Sequence, residues 1–283
     1  MHILIFDRDE AVAALLKSKL AAPGRDITLR AGTADSIAPL DPRSVEVIFV
    51  DPSPHKNAEQ AIITLRRQIP TQAYVVLMGT DVTPEQGLAA GANDILKKPF
   101  NPGDIALRME NAERLRELQR RLNDPDDDFP SGGGVIAKSA FCQLFLSAVD
   151  RADRYGERSY VIRMALRNYN QIKVMDSDHA ADVAAATVAQ HIVRMRRGSD
   201  ILGQIGPYEY ALLLQRPVGS DEPTEATLRF ADRLARSLEL ARRTPVPIEI
   251  LLTLVEIPTG ASALMHEVCI GTQDEISRRG GLG

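Results

Sequence analysis

The chain has 283 residues, with 34 lysines and arginines against 38 aspartates and glutamates, so its formal net charge is −4 at pH 7. This length exceeds that of a typical single domain and allows two domains, each with its own core. Because both signs of charge are mixed along the chain, the overall charge argues against nucleic acid or an anionic membrane as a partner. The two cysteines, Cys142 and Cys269, and the lack of a signal peptide or a long apolar run predict a cytoplasmic protein.

The first part of the chain alternates predicted strands with predicted helices. An apolar run over residues 2–6 ends at Asp7, and the helical pattern AVAALLKSKLAA follows it. Three further apolar runs end near Asp51, Thr80 and Lys98. This order predicts an α/β fold with a doubly wound parallel sheet. Since ligand sites in such sheets lie at the carboxyl ends of the strands, the four polar residues should converge there.

Two carboxylates, a hydroxyl and an amine at one crevice suit phosphoryl chemistry. A carboxylate can accept a phosphoryl group when cations offset the charge of the phosphoryl oxygens. Residues 1–122 resemble a response-regulator receiver domain, which is flavodoxin-like, and the most specific match is GANDILKKPF. The resemblance implies that Asp51 is the phospho-acceptor, Thr80 the switch hydroxyl and Lys98 the phosphate-sensing lysine. It also implies Mg²⁺ at Asp7 and Asp51, and a histidine kinase or phosphotransfer protein as partner.

The sequence departs from the receiver pattern at several positions. Arg8 stands where the family usually has a second acid, although Asp9 follows. A positive side chain at this position could exclude Mg²⁺. The loop after Asp51 lacks the usual Met-Pro pair, Ile95 replaces a frequent aromatic residue, and the segment after Thr80 is about one helical turn short. Two interpretations therefore stay open: phosphorylation at Asp51, or an unphosphorylated pseudo-receiver that serves dimerisation.

A long helix is predicted to follow the receiver-like part. In this helix, Leu115, Leu118 and Leu122 recur at steps of three and four residues. Such a stripe is typical of packing against the parent domain. Because the helix runs past the expected end of a receiver, a parallel coiled coil between two copies of a homodimer is the alternative. The acidic, Pro- and Gly-rich segment 123–134 then predicts a linker.

Residues 135–283 predict an α+β domain. The expected order is a helix over Lys138–Tyr155, a strand SYVIRMAL, a helix DHAADVAAATVAQHIVRMRR, and a hairpin of DILGQIG and EYALLLQR. A helix TEATLRFADRLARSLELA follows, and the strand IEILLTLVEI closes the set. This order, together with the opening PSGGGVIAKSAF and the terminal RRGG, resembles the GGDEF domain of diguanylate cyclases, of nucleotidyl cyclase-like fold.

The resemblance implies a catalytically inactive domain. Diguanylate cyclases join two GTP molecules across a dimer and need acidic residues to hold Mg²⁺ on the triphosphate. The family's metal-binding aspartate falls on Ala165, and the acid of its signature turn falls on Tyr208. Pro207 replaces the second glycine of that turn, and Lys173 replaces the guanine-contacting asparagine. Two family residues are kept, Asp182 and Glu209.

The inhibitory site of the same family binds c-di-GMP through an Arg-x-x-Asp motif before the signature turn. The residues Arg197-Gly198-Ser199-Asp200 match this motif, and Arg233 matches a third family contact in the helix after the hairpin. Guanidinium groups suit phosphate oxygens and guanine edges, and an aspartate can accept hydrogen bonds from guanine. The resemblance thus implies that Arg197, Asp200 and Arg233 bind c-di-GMP. The alternative is that Arg197 is a helix-end cation and Asp200 a cap.

These observations together predict a cytoplasmic signalling effector. It would join a receiver domain to a degenerate GGDEF domain that senses c-di-GMP and controls a downstream protein, in the manner of PopA-type effectors. A nucleotide-independent adaptor is the first alternative. An active diguanylate cyclase is the least favoured one, because the two metal ligands are missing.

Overall fold

A computed structural model describes residues 1–30, 45–53, 58–69, 73–123, 134–196, 200–215, 221–241 and 246–270. The chain forms two compact units. The first contains residues 1–119, 146–158 and 257–261, and the second contains residues 120–145, 159–256 and 262–283. Most of the predicted linker, residues 124–133, lies outside the described residues.

The first unit is built on a five-stranded sheet. Its strands are β1 (His2–Phe6), β2 (Asp26–Arg30), β3 (Val47–Val50), β4 (Tyr74–Gly79) and β5 (Asp94–Lys97). They pair in parallel in the order β2-β1-β3-β4-β5. This is the flavodoxin-like order of a doubly wound sheet, so the predicted fold class is confirmed. Every residue of β3 and β4 is buried, as the continuous apolar runs predict for strands covered on both faces.

Among the described residues, four helices accompany this sheet: α1 (Glu10–Leu20), α2 (Ala58–Gln68), α3 (Pro84–Ala89) and α4 (Pro102–Asn123). The side chain of Asp9 caps α1 by accepting hydrogen bonds from the backbone N–H groups of Ala11 and Val12. Thr83 and Gln86 form a capping box at the start of α3.

The leucine stripe of α4 is buried in the single chain. Leu115, Leu118 and Leu122 are 2%, 1% and 3% exposed. Leu115 and Leu118, which belong to the first unit, are therefore buried as the packing interpretation predicts, whereas Leu122 belongs to the second unit. A coiled coil between two copies would need these side chains at the surface, so this stripe gives no support for a dimer.

The second unit contains a five-stranded sheet and helices of its own. In chain order its elements are α5 (Lys138–Tyr155), β6 (Ser159–Leu166), α6 (Tyr169–Met175), α7 (Asp178–Met195), β7 (Ile201–Gly206), β8 (Glu209–Gln215), α8 (Glu222–Ala241), β9 (Ile248–Ile257) and β10 (Ser262–Ile270). Residues 146–155 of α5 belong to the first unit. The strand order is β10-β9-β6-β8-β7, and the pairs β6–β8, β7–β8 and β9–β10 are antiparallel.

The core of the second unit forms where α7 and α8 bury apolar side chains with the sheet. Ile162, Val188, Leu212, Leu234 and Leu252 are representative members, and each is at most 2% exposed. In β7, Gly203 allows a close approach of α5, because a Cβ atom there would lie 2.7 Å from atoms of the Phe141 side chain.

The structure contains three elements that the sequence analysis did not predict: β2, α6 and β10. The strand β2 was not predicted, because three of its five residues are exposed and the strand forms no apolar run. The strand predicted to close the second domain, β9, is followed by β10, which alternates exposed and less exposed residues. The short helix α6 was also missed. No helix within the described ranges is both long enough and apolar enough to cross a membrane.

Candidate functional site

The first candidate site lies at the carboxyl ends of the parallel strands. Asp7 follows β1, Asp51 follows β3, and Lys98 follows β5. The Nζ atom of Lys98 donates a hydrogen bond to Oδ2 of Asp7 at 2.6 Å and another to Oδ2 of Asp51. Asp7 is 3% exposed and Asp51 is 8% exposed. The structure thus brings together three of the four residues that the sequence places at this crevice.

The ion pairs set the charge states of this cluster. Burial alone would raise the pKa of Asp51, but hydrogen bonds from Lys98 and Ser53 outweigh it and leave the pKa below its ordinary value. Burial alone would lower the pKa of Lys98, but its bonds to Asp51 and Asp7 outweigh it and raise the pKa. The cluster therefore holds an ionised Asp51 beside a lysine cation at neutral pH.

The remaining predicted residues of this crevice make other contacts. Thr80 is exposed, and its hydroxyl donates to Oδ2 of Asp81 at 3.1 Å. Asp9, which could have supplied the second acid of the family, instead caps α1. Arg8 is exposed. Within the described ranges, no group of three or more His, Cys, Asp and Glu side chains could hold a metal ion.

The chemistry of the two carboxylates still suits one divalent cation. Mg²⁺ in phosphoryl-transfer sites is typically bound by one or two carboxylates, with water and phosphate oxygens completing its shell. Asp7 and Asp51 provide such a pair. Their Oδ1 atoms accept hydrogen bonds from the backbone N–H groups of Asp9 and Ser53, at 3.0 and 2.8 Å.

The second candidate site is the turn between β7 and β8. Ala165 of β6 lies directly opposite Glu209 of β8 in the antiparallel register. The carboxylate of Glu209 accepts hydrogen bonds from Arg121 and from Arg163, the latter at 3.2 and 3.3 Å. Burial alone would raise the pKa of Glu209, but the two arginines outweigh it and lower the pKa. The ionised carboxylate of Glu209 is thus paired with two guanidinium groups.

An aromatic stack lies beside this turn. The rings of Tyr208 and Tyr169 are stacked, with centroids 3.5 Å apart and an interplanar angle of 16°. The hydroxyl of Tyr169 donates to Oδ1 of Asp182 at 2.7 Å, and this bond raises the pKa of Tyr169. Lys173 forms an exposed ion pair with Asp178 at 3.2 Å. Other side chains of this chain therefore contact three residues whose positions match the GGDEF site in the sequence: Tyr208, Asp182 and Lys173.

Three further residues belong to this site although the sequence did not predict them: Arg121, Arg163 and Tyr169. Arg163 lies two residues before Ala165 in β6, so both side chains point to the same face of the sheet, and this spacing was a usable signal. The partnerships of Arg121 and Tyr169 join residues far apart in the chain. No local pattern indicates them.

The proposed c-di-GMP residues are only partly described. Arg197 lies outside the described residues. Asp200 directly precedes β7, and its backbone carbonyl accepts a hydrogen bond from Arg196 at 3.2 Å. Arg233 lies on α8 and is exposed.

Comparison of sequences relates the chain to response regulators. No family model matches it. The aerobic respiration control protein ArcA of Escherichia coli K12 is 31% identical over 128 residues, which cover 43% of this chain and 50% of ArcA. The response regulator MprA of Mycolicibacterium vanbaalenii is 29% identical over 161 residues, or 56% of this chain and 65% of MprA. The chain thus spans half of ArcA and somewhat more of MprA.

Solved structures add two likenesses. A two-component response regulator from Clostridium difficile has a TM-score of 0.36 at 23% identity, covering 44% of this chain and 99% of its own. The GGDEF domain of TpbB (YfiN) from Pseudomonas aeruginosa has a TM-score of 0.34 at 22% identity, covering 42% of this chain and 70% of its own. From its sequence relatives and its sheet order, the chain contains a receiver domain of the response-regulator type.

Proposed function

We propose that this chain is a two-component signalling effector whose receiver takes a phosphoryl group on Asp51 and whose second unit is a degenerate GGDEF domain that binds c-di-GMP. The observation that carries the first half is the Lys98 ammonium group, which spans the carboxylates of Asp7 and Asp51. The second half is supported by the site around Glu209 and by the Arg-x-x-Asp spacing in the sequence.

Phosphoryl transfer to Asp51 requires a charged nucleophile and positive charge near the transferred group. In the proposed step, a carboxylate oxygen of Asp51 attacks the phosphorus of a phosphohistidine, and the P–N bond breaks as the P–O bond forms. The lowered pKa of Asp51 keeps the nucleophile ionised. Lys98 already contacts Asp51, so its ammonium group can pair with a phosphoryl oxygen. Mg²⁺ held by Asp7 and Asp51 would supply further positive charge.

The absence of cyclase activity is proposed from the contacts of the turn. A divalent cation on a triphosphate needs several carboxylate oxygens. Opposite Glu209 the chain has the methyl group of Ala165, and the Glu209 carboxylate is already paired with Arg121 and Arg163. Tyr208 supplies a ring where the family has an acid, and this ring is stacked on Tyr169. These groups cannot hold Mg²⁺ in the way that the reaction demands.

Binding of c-di-GMP is proposed through Arg197, Asp200 and Arg233. Two arginines and an aspartate complement a ligand with two phosphates and two guanine bases. Arg233 is exposed on α8, so a ligand can reach it. Occupancy of this site would change the surface offered to a downstream protein. The upstream partner would be a histidine kinase or a phosphotransfer protein, and the active form a cytoplasmic homodimer.

Two assays on the full chain test this proposal. Incubation with GTP and Mg²⁺ or Mn²⁺, followed by chromatography, should yield no c-di-GMP, and measurable product would overturn the assignment of Ala165 and Tyr208. Calorimetric titration with c-di-GMP should show saturable binding. A folded sample that gives no heat would point to the nucleotide-independent adaptor.

A further inference from the structure

The connection between β9 and β10 belongs to the first unit. Residues 257–261 are part of that unit, although the two strands that they join lie in the second unit apart from Ile257. Pro258 and Gly260 are buried. The chain therefore passes from the second unit into the first and back again within this short stretch. We refer to residues 257–261 as the connecting segment.

Side chains of the first unit bind the backbone of the connecting segment. The acceptors are the carbonyl oxygens of three successive residues: Pro258, Thr259 and Gly260. In that order their donors are Nδ2 of Asn93 at 3.0 Å, the hydroxyl of Tyr74 at 2.6 Å and Nη1 of Arg114 at 2.8 Å. Because Asn93 and Tyr74 are only 4% and 1% exposed, water has little access to their bonds, and the loss of such a bond is costly.

The first unit also fixes the orientation of these donors. The Oδ1 atom of Asn93 accepts hydrogen bonds from the backbone N–H of Val75 at 2.8 Å and from Arg66 at 2.7 Å. The amide nitrogen of Asn93 is then the atom that binds the connecting segment. Within α4, Nη1 of Arg114 also donates to Oδ1 of Asn111 at 3.2 Å. The donors are therefore preorganised, which lowers the entropy cost of holding the segment.

Gly260 lets the connecting segment lie directly against α4. Its φ of +71° falls in the left-handed region, which glycine adopts more readily than other residues. A Cβ atom at this position would lie 2.3 Å from the backbone oxygen of Asn111 and 2.9 Å from the Cβ atom of Leu115. A side chain at residue 260 would therefore force the segment away from α4.

The connecting segment is the turn of the β9–β10 hairpin. The strand β10 lies at one end of the second sheet and pairs with β9 in antiparallel register, from Ser262 opposite Val255 to Ile270 opposite Ile248. The turn of a hairpin fixes the register of its strands. A turn that is already ordered also removes part of the conformational entropy that opposes closure of the hairpin. Opening of β10 should therefore become easier when the first unit releases the connecting segment.

We propose that the first unit holds the connecting segment as a latch, and that this hold makes closure of the β9–β10 hairpin depend on the receiver. A change in the receiver that weakens the bonds of Asn93, Tyr74 or Arg114 passes to the second unit through the continuous chain. The inference requires neither phosphorylation of Asp51 nor binding of c-di-GMP. Its failure and the failure of the proposed function are therefore distinguishable.

The test is hydrogen–deuterium exchange of the full chain, measured by mass spectrometry on peptides from β10. Tyr74→Phe removes one hydroxyl and keeps the ring, and Arg114→Ala removes a guanidinium group. Each change should speed exchange in β10 about tenfold, because the loss of a hydrogen bond to a held segment shifts its opening equilibrium by about that factor. Gly260→Ala should have a larger effect, since it displaces the whole segment. Circular dichroism verifies that each variant is folded.

Two controls make the test specific. Arg116→Ala removes another arginine of α4, but Arg116 pairs with Glu46 and its loss should leave exchange in β10 unchanged. Peptides from β7 and β8, the other hairpin of the second sheet, should exchange in every variant as they do in the wild type. Unchanged exchange of β10 in Tyr74→Phe, Arg114→Ala and Gly260→Ala would overturn the proposal. An equal increase in Arg116→Ala, or in the β7 and β8 peptides, would overturn it as well.

Discussion

Ala165 lies directly opposite Glu209 in the antiparallel pair of β6 and β8. A methyl group thus faces the one acid that the turn retains, and arginines supply the positive charge beside that acid. A carboxylate at position 165 would meet Glu209 across the strands, which costs energy unless a cation lies between them. The strand register and the two arginines thus form a site in which the Glu209 carboxylate pairs with side chains of the protein itself.

Phosphorylation is expected at Asp51. Treatment of the full chain with acetyl phosphate and Mg²⁺ should add the mass of one phosphoryl group, because Asp51 is ionised and contacts Lys98. Intact-mass spectrometry measures this gain. Asp51→Asn should eliminate it, whereas Asp26→Asn, at an exposed acid of β2, should retain it. If the wild-type chain gains no mass, the pseudo-receiver interpretation replaces this one.

Lys98→Met should destabilise the first unit. The change leaves two buried carboxylates without their cation, and removal of one partner from a buried ion pair typically costs about 3 to 5 kcal/mol. Buried carboxylates without a cation favour their protonated form. The difference in unfolding free energy between Lys98→Met and the wild type should therefore be largest at neutral pH and shrink as the pH falls. Thermal unfolding at several pH values measures it. Lys97→Met, an adjacent exposed lysine, should have little effect, and an equal loss in both variants would contradict the role of Lys98.

Asp153 should make stability depend on pH in the mildly acidic range. Burial raises the pKa of this carboxyl to about 6. A guanidinium nitrogen of Arg66 lies 3.5 Å from Oδ1 of Asp153, and its positive charge partly offsets the increase in pKa. The folded state therefore binds a proton more tightly than the unfolded state, so stability falls as the pH rises from the unfolded pKa through about 6. The loss amounts to about 3 kcal/mol at most.

The measurement is the unfolding midpoint of Asp153→Asn and wild type between pH 4 and 8, with pH steps of about one unit. The amide cannot ionise, so the variant should show a flatter dependence on pH. Parallel curves for the two proteins would show that Asp153 does not carry the effect.

Leu118→Ala should destabilise the chain strongly. Leu118 is 1% exposed, and a buried leucine replaced by alanine typically costs about 2 to 5 kcal/mol. Leu107→Ala on the same helix is the matched control, because Leu107 is 46% exposed and its loss should change stability by less than about 0.5 kcal/mol. Chemical denaturation followed by circular dichroism compares them. Similar midpoints for the two variants would contradict the burial of the stripe.

Local patterns predicted much of the fold. The structure reproduces the predicted bounds of α5, β6 and β9, whose periodicity or apolar runs are strong. The strand β2 escaped prediction because the sequence DITLR lies at a sheet edge with polar residues at both ends. The strand β10 carries an alternating pattern, but His266 interrupts its less exposed face and weakens the signal.

In the candidate sites, too, some residues were predictable from the sequence and others were not. Asp7, Asp51 and Lys98 were predictable because each follows an apolar run and the parallel order brings their strand ends together. The pairs of Glu209 with Arg121 and of Tyr208 with Tyr169 were not predictable. These contacts depend on the pairing register and on the packing of elements distant in sequence. A single sequence gives no direct signal for either.

Titration of the full chain with c-di-GMP tests the central claim most directly. Calorimetry should show saturable binding in the wild type and loss of binding in Arg197→Ala, Asp200→Asn and Arg233→Ala. The control is Arg229→Ala, which removes an exposed arginine that lies on α8 with Arg233 and is paired with Glu225. This variant should bind c-di-GMP as the wild type does. A folded wild-type sample without heat, or binding that survives all three replacements, would contradict the account.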